Sequence, residues 1–361
     1  MKETKLWING QWHDAEESYE LASPYNGEVI AHVAKASIQD VEKAIEGAQQ
    51  AFQSFKKTTA YERAEILYKV VDKMRQRKEE LAEILALEAG KPIVAGLAEI
   101  DRTIATYQFA AEGAKQSKGE TVPMDAAPGA GGDRIGWTKR EPLGVVSAIT
   151  PFNFPFNLVA HKLGPAFAVG NTVVLKPATQ TPLSAIVMAE IFREAGLPDG
   201  GALQIVTGSG GELSDTLVTH PYVKKVTFTG SGKVGLKIKE KIGLRKVTLE
   251  LGSNAAVIVE PSTPINKIIK RCVSGGAFNF AGQVCISLQR IYVHSSIIDE
   301  FTKAFVAETE KLKVGDPLDK TTDVSAMINP NEVERIREWI EEAQEQGGLK
   351  LQLEAYLLNV L

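Results

Sequence analysis

A chain of 361 residues is about two to three times the common domain length, so two domains are expected rather than one oversized core. Hydrophobic residues at 44% and charged residues at 24% are those of an ordinary globular protein, and they exclude a disordered or low-complexity chain. The net charge of −4, with 41 basic and 45 acidic residues well mixed, leaves no footprint for a nucleic-acid partner or an anionic membrane and favours small-molecule chemistry.

The N-terminus, MKETKLWINGQWHD, lacks the apolar stretch of a signal peptide, and no apolar run reaches the roughly 18 residues of a membrane span. A cytoplasmic protein is expected. After a strand-like LWING and a turn over residues 24–27, Ser37 can cap a helix whose apolar positions Val41, Ile45, Ala48 and Phe52 recur at helical spacing. Two further helices are expected over residues 61–89 and 93–115, with KMRQRKEEL as the solvated face of the first.

Residues 122–140 are dense in Gly and Pro, which predicts a protruding loop, a hairpin or a linker. From Leu143 the pattern changes. Short apolar runs (LGVVSAIT, NTVVLKP, ALQIVTG, KKVTFTG, KVTLEL) alternate with helical segments, the grammar of β-α-β units in a parallel sheet. A second series starts at AAVIVE, with a helix expected to about residue 278, the strand QRIYVH, and helices over 295–312 and 333–346. The fold class is therefore α/β: a Rossmann-like parallel-sheet domain followed by a second α/β domain whose sheet is incomplete.

Cys272 and Cys285 are the only cysteines, with no Cys-x-x-Cys pair and no clustered His, so neither a disulfide framework nor a metal site is expected. Cys272 lies in a helical pattern and reads as a small buried hydrophobe. Cys285, in GGAFNFAGQVCIS, reads either as the same or as a nucleophile. No cation adjoins it in sequence, so any activation has to come from tertiary neighbours. None of the five His residues is placed as its partner, which gives a Cys-His hydrolase no support.

Gly230-Ser231-Gly232-Lys233-Val234-Gly235 stands between a strand and a helix, the context in which G-x-G-x-x-G binds a dinucleotide with the helix N-terminus facing the pyrophosphate. Glu250 stands at about the 20-residue spacing expected of a ribose-binding acid. It also ends the fifth strand, where a carboxylate can serve as a general base. Spacing does not separate the two roles. Lys176 ends the strand NTVVLKP near the same edge, where an ammonium can meet ribose hydroxyls or phosphate. In TPFNFP, Asn153 is flanked by Phe152 and Phe154 and, outside them, by Pro151 and Pro155. That rigid setting suits an oxyanion donor or, equally, a turn.

Taken in this order, TPFNFP, LKPA, FTGSGKVG, LELGSN and AGQVC resemble the motif set of the aldehyde dehydrogenase superfamily, over about residues 6–348. The resemblance extends to its lactaldehyde and non-phosphorylating glyceraldehyde-3-phosphate members. It implies an NAD-dependent enzyme, with NADP possible, that oxidises a small aldehyde to a carboxylic acid through a thiohemiacetal and thioester on cysteine. Cys285 would be the nucleophile, Asn153 with the Cys285 N–H the oxyanion site, Glu250 the base that activates the hydrolytic water, and Lys162 a further active-site lysine. Coenzyme-A-acylating relatives usually lack this Glu.

The cofactor would meet Pro151, Phe152, Lys176, Thr179, Gly230, Ser231 and Val234. Thr179 occupies the place where many NAD-preferring members carry Glu, and Ser253 the place of a usual Gly. Residues 1–121 and 141–252 would form the cofactor domain, 122–140 a hairpin through which the homo-oligomeric family pairs, and 253–361 the catalytic domain. The resemblance also implies that the later E-x-F-G-P motif and the C-terminal pairing strand are missing. From Leu349 the tail LKLQLEAYLLNVL departs from the pattern, as a prematurely stopped or out-of-frame reading would. The alternative expectation is accordingly an inactive remnant that retains at most nucleotide or partner binding.

Overall fold

The computed structural model describes residues 2–129, 132–198 and 201–348; the divergent tail lies outside the described residues. Five short strands open the chain: β1 (Lys2–Glu3), β2 (Leu6–Ile8), β3 (Gln11–His13), β4 (Glu17–Ala22) and β5 (Val29–Lys35). Between β2 and β3, Asn9 and Gly10 both take positive φ (55° and 76°), the two-residue turn that Asn-Gly forms at least cost.

Four helices follow: α1 (Ile38–Phe55), α2 (Ala60–Gln76), α3 (Lys78–Ala89) and α4 (Ile93–Ala114). Ser37 caps α1 as expected. Its hydroxyl accepts from the Asp40 N–H at 3.1 Å while the Asp40 carboxylate accepts from the Ser37 N–H at 2.9 Å. The helix expected over residues 61–89 is two, broken at Arg77 (φ −110°, ψ 17°). Apolar spacing runs on across the break because Val70, Val71 and Met74 before it and Leu81 and Leu85 after it enter one core, so periodicity alone does not show it.

The Gly- and Pro-rich span is flanked by a hairpin pair: β6 (Thr121–Val122) pairs antiparallel with β7 (Gly136–Trp137). Then comes the alternation read from the sequence: β8 (Val145–Ile149), α5 (Asn157–Ala168), β9 (Thr172–Lys176), α6 (Leu183–Glu194), β10 (Leu203–Ile205), α7 (Gly210–Thr219), β11 (Val223–Thr229), α8 (Gly232–Lys241) and β12 (Lys246–Glu250). The five strands are parallel in the order β12-β11-β8-β9-β10, and β2 and β3 extend the sheet antiparallel beyond β10.

Alternate residues of each strand feed different cores. Val146, Ala148, Val173 and Leu175 pack with α2, α4, α5 and α6; Val145, Val174, Val226 and Phe228 pack with α1, α7 and α8. Both faces are thus covered, as a parallel sheet requires. Strand order reverses between β8 and β11, and in such sheets the crevice beyond the carboxyl ends at that point takes the ligand.

The second series gives β13 (Ala256–Val259), α9 (Ile265–Lys270), β14 (Arg290–Val293), α10 (Ile298–Thr309) and α11 (Pro330–Glu345). β13 and β14 form a two-stranded parallel sheet, packed on one face by Ile265, Ile269 and Phe301. The helix expected to residue 278 keeps α geometry only to Lys270. Residues Arg271–Ala277 widen into π turns, where Gly276 lies so close to Leu288 that an added Cβ would stand 2.5 Å from its side chain. Cys272 is buried there, 6% exposed, as its spacing implied.

Gly47 inside α1 shows how tightly the sheet edge is packed, because a Cβ there would meet Asn9 Oδ1 at 1.6 Å. Asn9 is itself fixed, its N–H donating to Gln204 Oε1 at 2.7 Å. Replacing an interior helical Gly by Ala ordinarily stabilises by roughly 0.5–1 kcal/mol. Gly47→Ala is expected to do the opposite, destabilising by about 1–3 kcal/mol as overpacking does; an unchanged or raised urea midpoint would contradict this packing.

Candidate active site

Strand register brings the residues singled out in the sequence to one edge. Ile149 of β8 pairs with Lys176 of β9, Phe228 of β11 pairs with Ile149, and Thr229 pairs with Glu250 of β12. The segment Thr150–Asn153, Lys176, the Gly230–Gly235 turn and Glu250 therefore leave the sheet side by side at its carboxyl end. The cysteine segment reaches the same edge from the stretch between α9 and β14.

Asn153 makes that junction. Its Nδ2 donates to the Gln283 carbonyl at 2.7 Å, two residues before Cys285. An amide nitrogen carries two hydrogens, so one remains to point at a ligand. Phe152 and Phe154 pack with Ala89, Phe280 and Val284, closing the apolar side of the junction. Cys285 is half-buried, and its carbonyl accepts from Ser253 Oγ at 2.7 Å. Ser253 thus ties the segment after β12 to the cysteine turn.

That turn has unusual backbone geometry. Phe280, Ala281 and Gly282 take φ of 47°, 52° and 76°, a left-handed run that the first two residues adopt only at a cost. It persists because Phe280 is buried at 2% exposure and the turn is bonded at Gln283, whose Oε1 accepts from the Ile328 N–H at 3.0 Å.

Glu250 is exposed at the end of β12, and its carbonyl accepts from the Gly230 N–H at 3.0 Å. Its charge acts on Lys162, buried on α5, whose ammonium donates to Thr229 Oγ1 at 2.8 Å and Thr227 Oγ1 at 3.2 Å. Burial pulls Lys162 down to about 8, against the opposing pull of Glu250. Burial likewise lowers His161 beside it, helped by the charges of Arg102 and Lys162. Both line a groove of about 930 Å³ that runs from the base of the hairpin to Thr227 and Thr248.

The Gly230–Gly235 turn joins β11 to α8. Ser231 caps α8, its hydroxyl accepting from the Val234 N–H. Gly235 stands where a Cβ would lie 2.7 Å from Leu251, so its lack of a side chain serves helix-strand packing. Gly232 has nothing within 4 Å of an added Cβ, which leaves its backbone open to a phosphate. Val234 is 43% exposed on the same helix.

Lys176 is 4% exposed, and its Nζ donates to the adjacent Pro177 carbonyl at 2.9 Å. Desolvation lowers it to about 8. A buried ammonium with one such acceptor fits sugar hydroxyls or a phosphate. Thr179 spends its hydroxyl on the Gly208 carbonyl at 3.1 Å and its carbonyl on the Tyr19 hydroxyl at 3.0 Å. The donor set therefore fits a dinucleotide. Pro151 and Phe152 are half-buried just beyond β8. Among the described residues no group of His, Cys, Asp and Glu is arranged to hold a metal ion, and no helix is long and apolar enough to cross a membrane.

Two residues that the motifs do not mark also reach the site. Lys91 and Glu99 form an ion pair at 2.5 Å, with side chains 1% and 0% exposed, behind the Asn153 segment. Burial lowers Lys91 from the ordinary lysine range.

The aldehyde dehydrogenase family model matches residues 12–354. The 3-sulfolactaldehyde dehydrogenase of Priestia aryabhattai is 47% identical over 348 residues, covering 96% of this chain and 72% of the relative. The lactaldehyde dehydrogenase of Methanococcus aeolicus is 37% identical over 347 residues, 95% and 72% of the two chains. The crystal structure of NADP-dependent glyceraldehyde-3-phosphate dehydrogenase from Bacillus halodurans, complexed with NADP, superposes with a TM-score of 0.94 at 35% identity, covering 98% of this chain and 74% of that one.

The desolvated Lys176 generates a test with a definite sign. Its folded pKa lies below its unfolded one, so the unfolded chain binds more protons between about pH 8 and 10.5, and the lysine's destabilising effect is full below pH 8 and fades toward pH 10.5. Lys176→Met is expected to be more stable than the parent at pH 7, by about 3 kcal/mol at most, with the gap narrowing on going to pH 10. Urea unfolding at both pH values measures it; a gap independent of pH would contradict the desolvation.

Proposed function

The chain belongs to the aldehyde dehydrogenase family, and from that premise we propose that it oxidises a short hydroxylated aldehyde to the carboxylic acid with NAD(P)+ through a covalent intermediate on Cys285. The observation that carries this reading is the Asn153–Gln283 hydrogen bond, which sets a side-chain amide beside the cysteine turn. The Cys285 thiolate adds to the aldehyde carbon. The free Asn153 N–H and the Cys285 backbone N–H receive the oxygen as it becomes negative, a placement typical of acyl-transfer sites.

When bound, NAD(P)+ would supply the two-electron acceptor for the hydride of the thiohemiacetal carbon, so that Cys285 is left holding a thioester. Glu250 accepts a proton from the water that attacks that thioester, the acid departs, and the thiolate is restored. Its exposed position at the strand end suits a base that must reach solvent water. Lys162 holds positive charge beneath it.

NAD(P)+ would be held at the carboxyl ends of β8, β9 and β11 by Lys176, Gly230, Ser231 and Val234, with Pro151, Phe152 and Thr179 bordering its site. Thr179 brings no carboxylate against a 2′-phosphate, so the site takes NADP as well as NAD. Residues 1–121 and 141–252 form the cofactor domain, the hairpin over 122–140 is where subunits pair, and residue 253 opens the catalytic domain. The names of the relatives, sulfolactaldehyde and lactaldehyde dehydrogenases, support a small hydroxylated aldehyde as substrate.

Reduced-cofactor absorbance with such an aldehyde tests the reading. Cys285→Ala is expected to abolish turnover, and Asn153→Ala to lower kcat by about 10² to 10³. Glu250→Gln should release one equivalent of reduced cofactor and then stall, because acylation survives while hydrolysis does not. Steady turnover in Cys285→Ala would overturn the proposal.

A further inference from the structure

The ion pair behind Asn153 is bonded to far more than its own two charges. Lys91 follows Gly90, which takes φ 64° at the end of α3, and precedes Pro92, from which α4 starts. This sharp corner drives the lysine side chain inward. Its ammonium donates to Glu99 Oε2 and to the Asn153 carbonyl, each at 2.5 Å. It also stands over the rings of Phe154 (3.9 Å) and Phe280 (4.6 Å). The second Glu99 oxygen accepts from the N–H groups of Phe156 and Asn157 at 3.0 and 3.1 Å. One buried pair therefore grips the backbone of the 153–157 segment at both ends and meets the strained aromatic residue of the cysteine turn.

We propose that Lys91 and Glu99 are positioning residues of the oxyanion pocket: together they fix where the Asn153 amide stands relative to the Cys285 turn. The inference rests on the reading of Cys285 as nucleophile and Asn153 as oxyanion donor. Neither Lys91 nor Glu99 touches substrate. They act through the Asn153 carbonyl, the first turn of α5 and the Phe280 ring.

A purely stabilising role is a poor account of this arrangement. Replacing a buried ion pair by apolar side chains of similar volume is often neutral or stabilising, so stability alone gives little reason for charge here. What an apolar pair cannot do is hold one carbonyl and two amides in fixed directions. Glu88 offers a matched comparison. It is likewise buried, and accepts from the N–H groups of Leu183 and Ser184 at the start of α6, but it does not bond the Asn153 segment. Burial pushes it up to about 8.

The test compares Lys91→Met/Glu99→Leu, Lys91→Arg, Asn153→Ala and Glu88→Gln in the full chain, with folding checked by urea unfolding. Two reactions are followed: aldehyde-dependent reduction of NAD(P)+, and the burst acylation of Cys285 by p-nitrophenyl acetate. The latter passes through a tetrahedral oxyanion on the same sulfur and expels p-nitrophenolate, without cofactor. Positioning predicts that the apolar pair folds and binds NADP within about 3-fold of the parent, yet loses about 10- to 100-fold in both rates, with kcat falling and KM nearly unchanged. In an Asn153→Ala background the same double substitution should cost less than about 3-fold, because the two act through one group. Lys91→Arg should recover part of the loss, and Glu88→Gln should leave both rates intact.

Unchanged acylation in the apolar-pair variant, or a loss that adds fully to that of Asn153→Ala, overturns the proposal while leaving the dehydrogenase reading standing. Acylation that depends on Lys91 and Asn153 in a chain that reduces no cofactor supports positioning and overturns that reading instead. Acylation insensitive to Asn153 overturns the positioning proposal together with the oxyanion role of Asn153.

Discussion

A charged group that leaves water must find its hydrogen-bond partners inside the protein, and at Lys91 those partners belong to two different parts of the chain. The ammonium meets a carboxylate from α4, a carbonyl from the segment after β8, and two aromatic rings, one of them from the cysteine turn. Its partner Glu99 meets the first amides of α5. The helical preamble therefore does more than cover a sheet face. It carries the fixed point against which the Asn153 segment and the cysteine turn are set.

The sheet supplies the rest of the geometry by register. Because β8, β9, β11 and β12 are parallel and end level with one another, four segments separated by up to a hundred positions in sequence open onto one crevice. Each then does what its local chemistry allows: a capped glycine turn offers amides, a strand-end lysine offers donors, a strand-end glutamate reaches solvent. Only the thiol comes from outside. It arrives through a turn that departs from regular helix at Arg271 and runs through left-handed backbone at Phe280 and Ala281.

This division explains what could be read in advance. The β-α alternation is written in short apolar runs bounded by Gly and Pro, and the five parallel strands follow from it. The strand-turn-helix placement of Gly230–Gly235 and the strand-end positions of Lys176 and Glu250 were equally legible, since all three depend on local pattern. The Asn9-Gly10 hairpin had its own local signal in the Asn-Gly pair, though the strand β3 that it creates is short and polar. The break at Arg77 was not visible, because the apolar period continues through it. Nor was the importance of Lys91 and Glu99: one sits between Gly and Pro and the other in mid-helix, and nothing in either neighbourhood shows that they meet each other or the Asn153 carbonyl. Their role is a property of tertiary packing. The function of Cys285 is a similar case, since its flanking residues are small and apolar and its candidate oxyanion partner lies far upstream.

Lys91, Lys162 and Lys176 share a condition that ties stability to function. All three are buried, and desolvation lowers each from the ordinary lysine range. An ammonium under that penalty favours any geometry that adds an acceptor, and in a low-dielectric setting each such bond is stronger than it would be in water. The three stand in different relations to that need. Lys91 is satisfied by Glu99 and the Asn153 carbonyl and so holds structure. Lys162 is satisfied by two threonine hydroxyls and faces Glu250. Lys176 has the carbonyl of its own neighbour, which leaves donors to spare. The order from satisfied to unsatisfied follows the order from scaffold to ligand site: the less the fold itself does for a buried charge, the more a bound partner gains by meeting it.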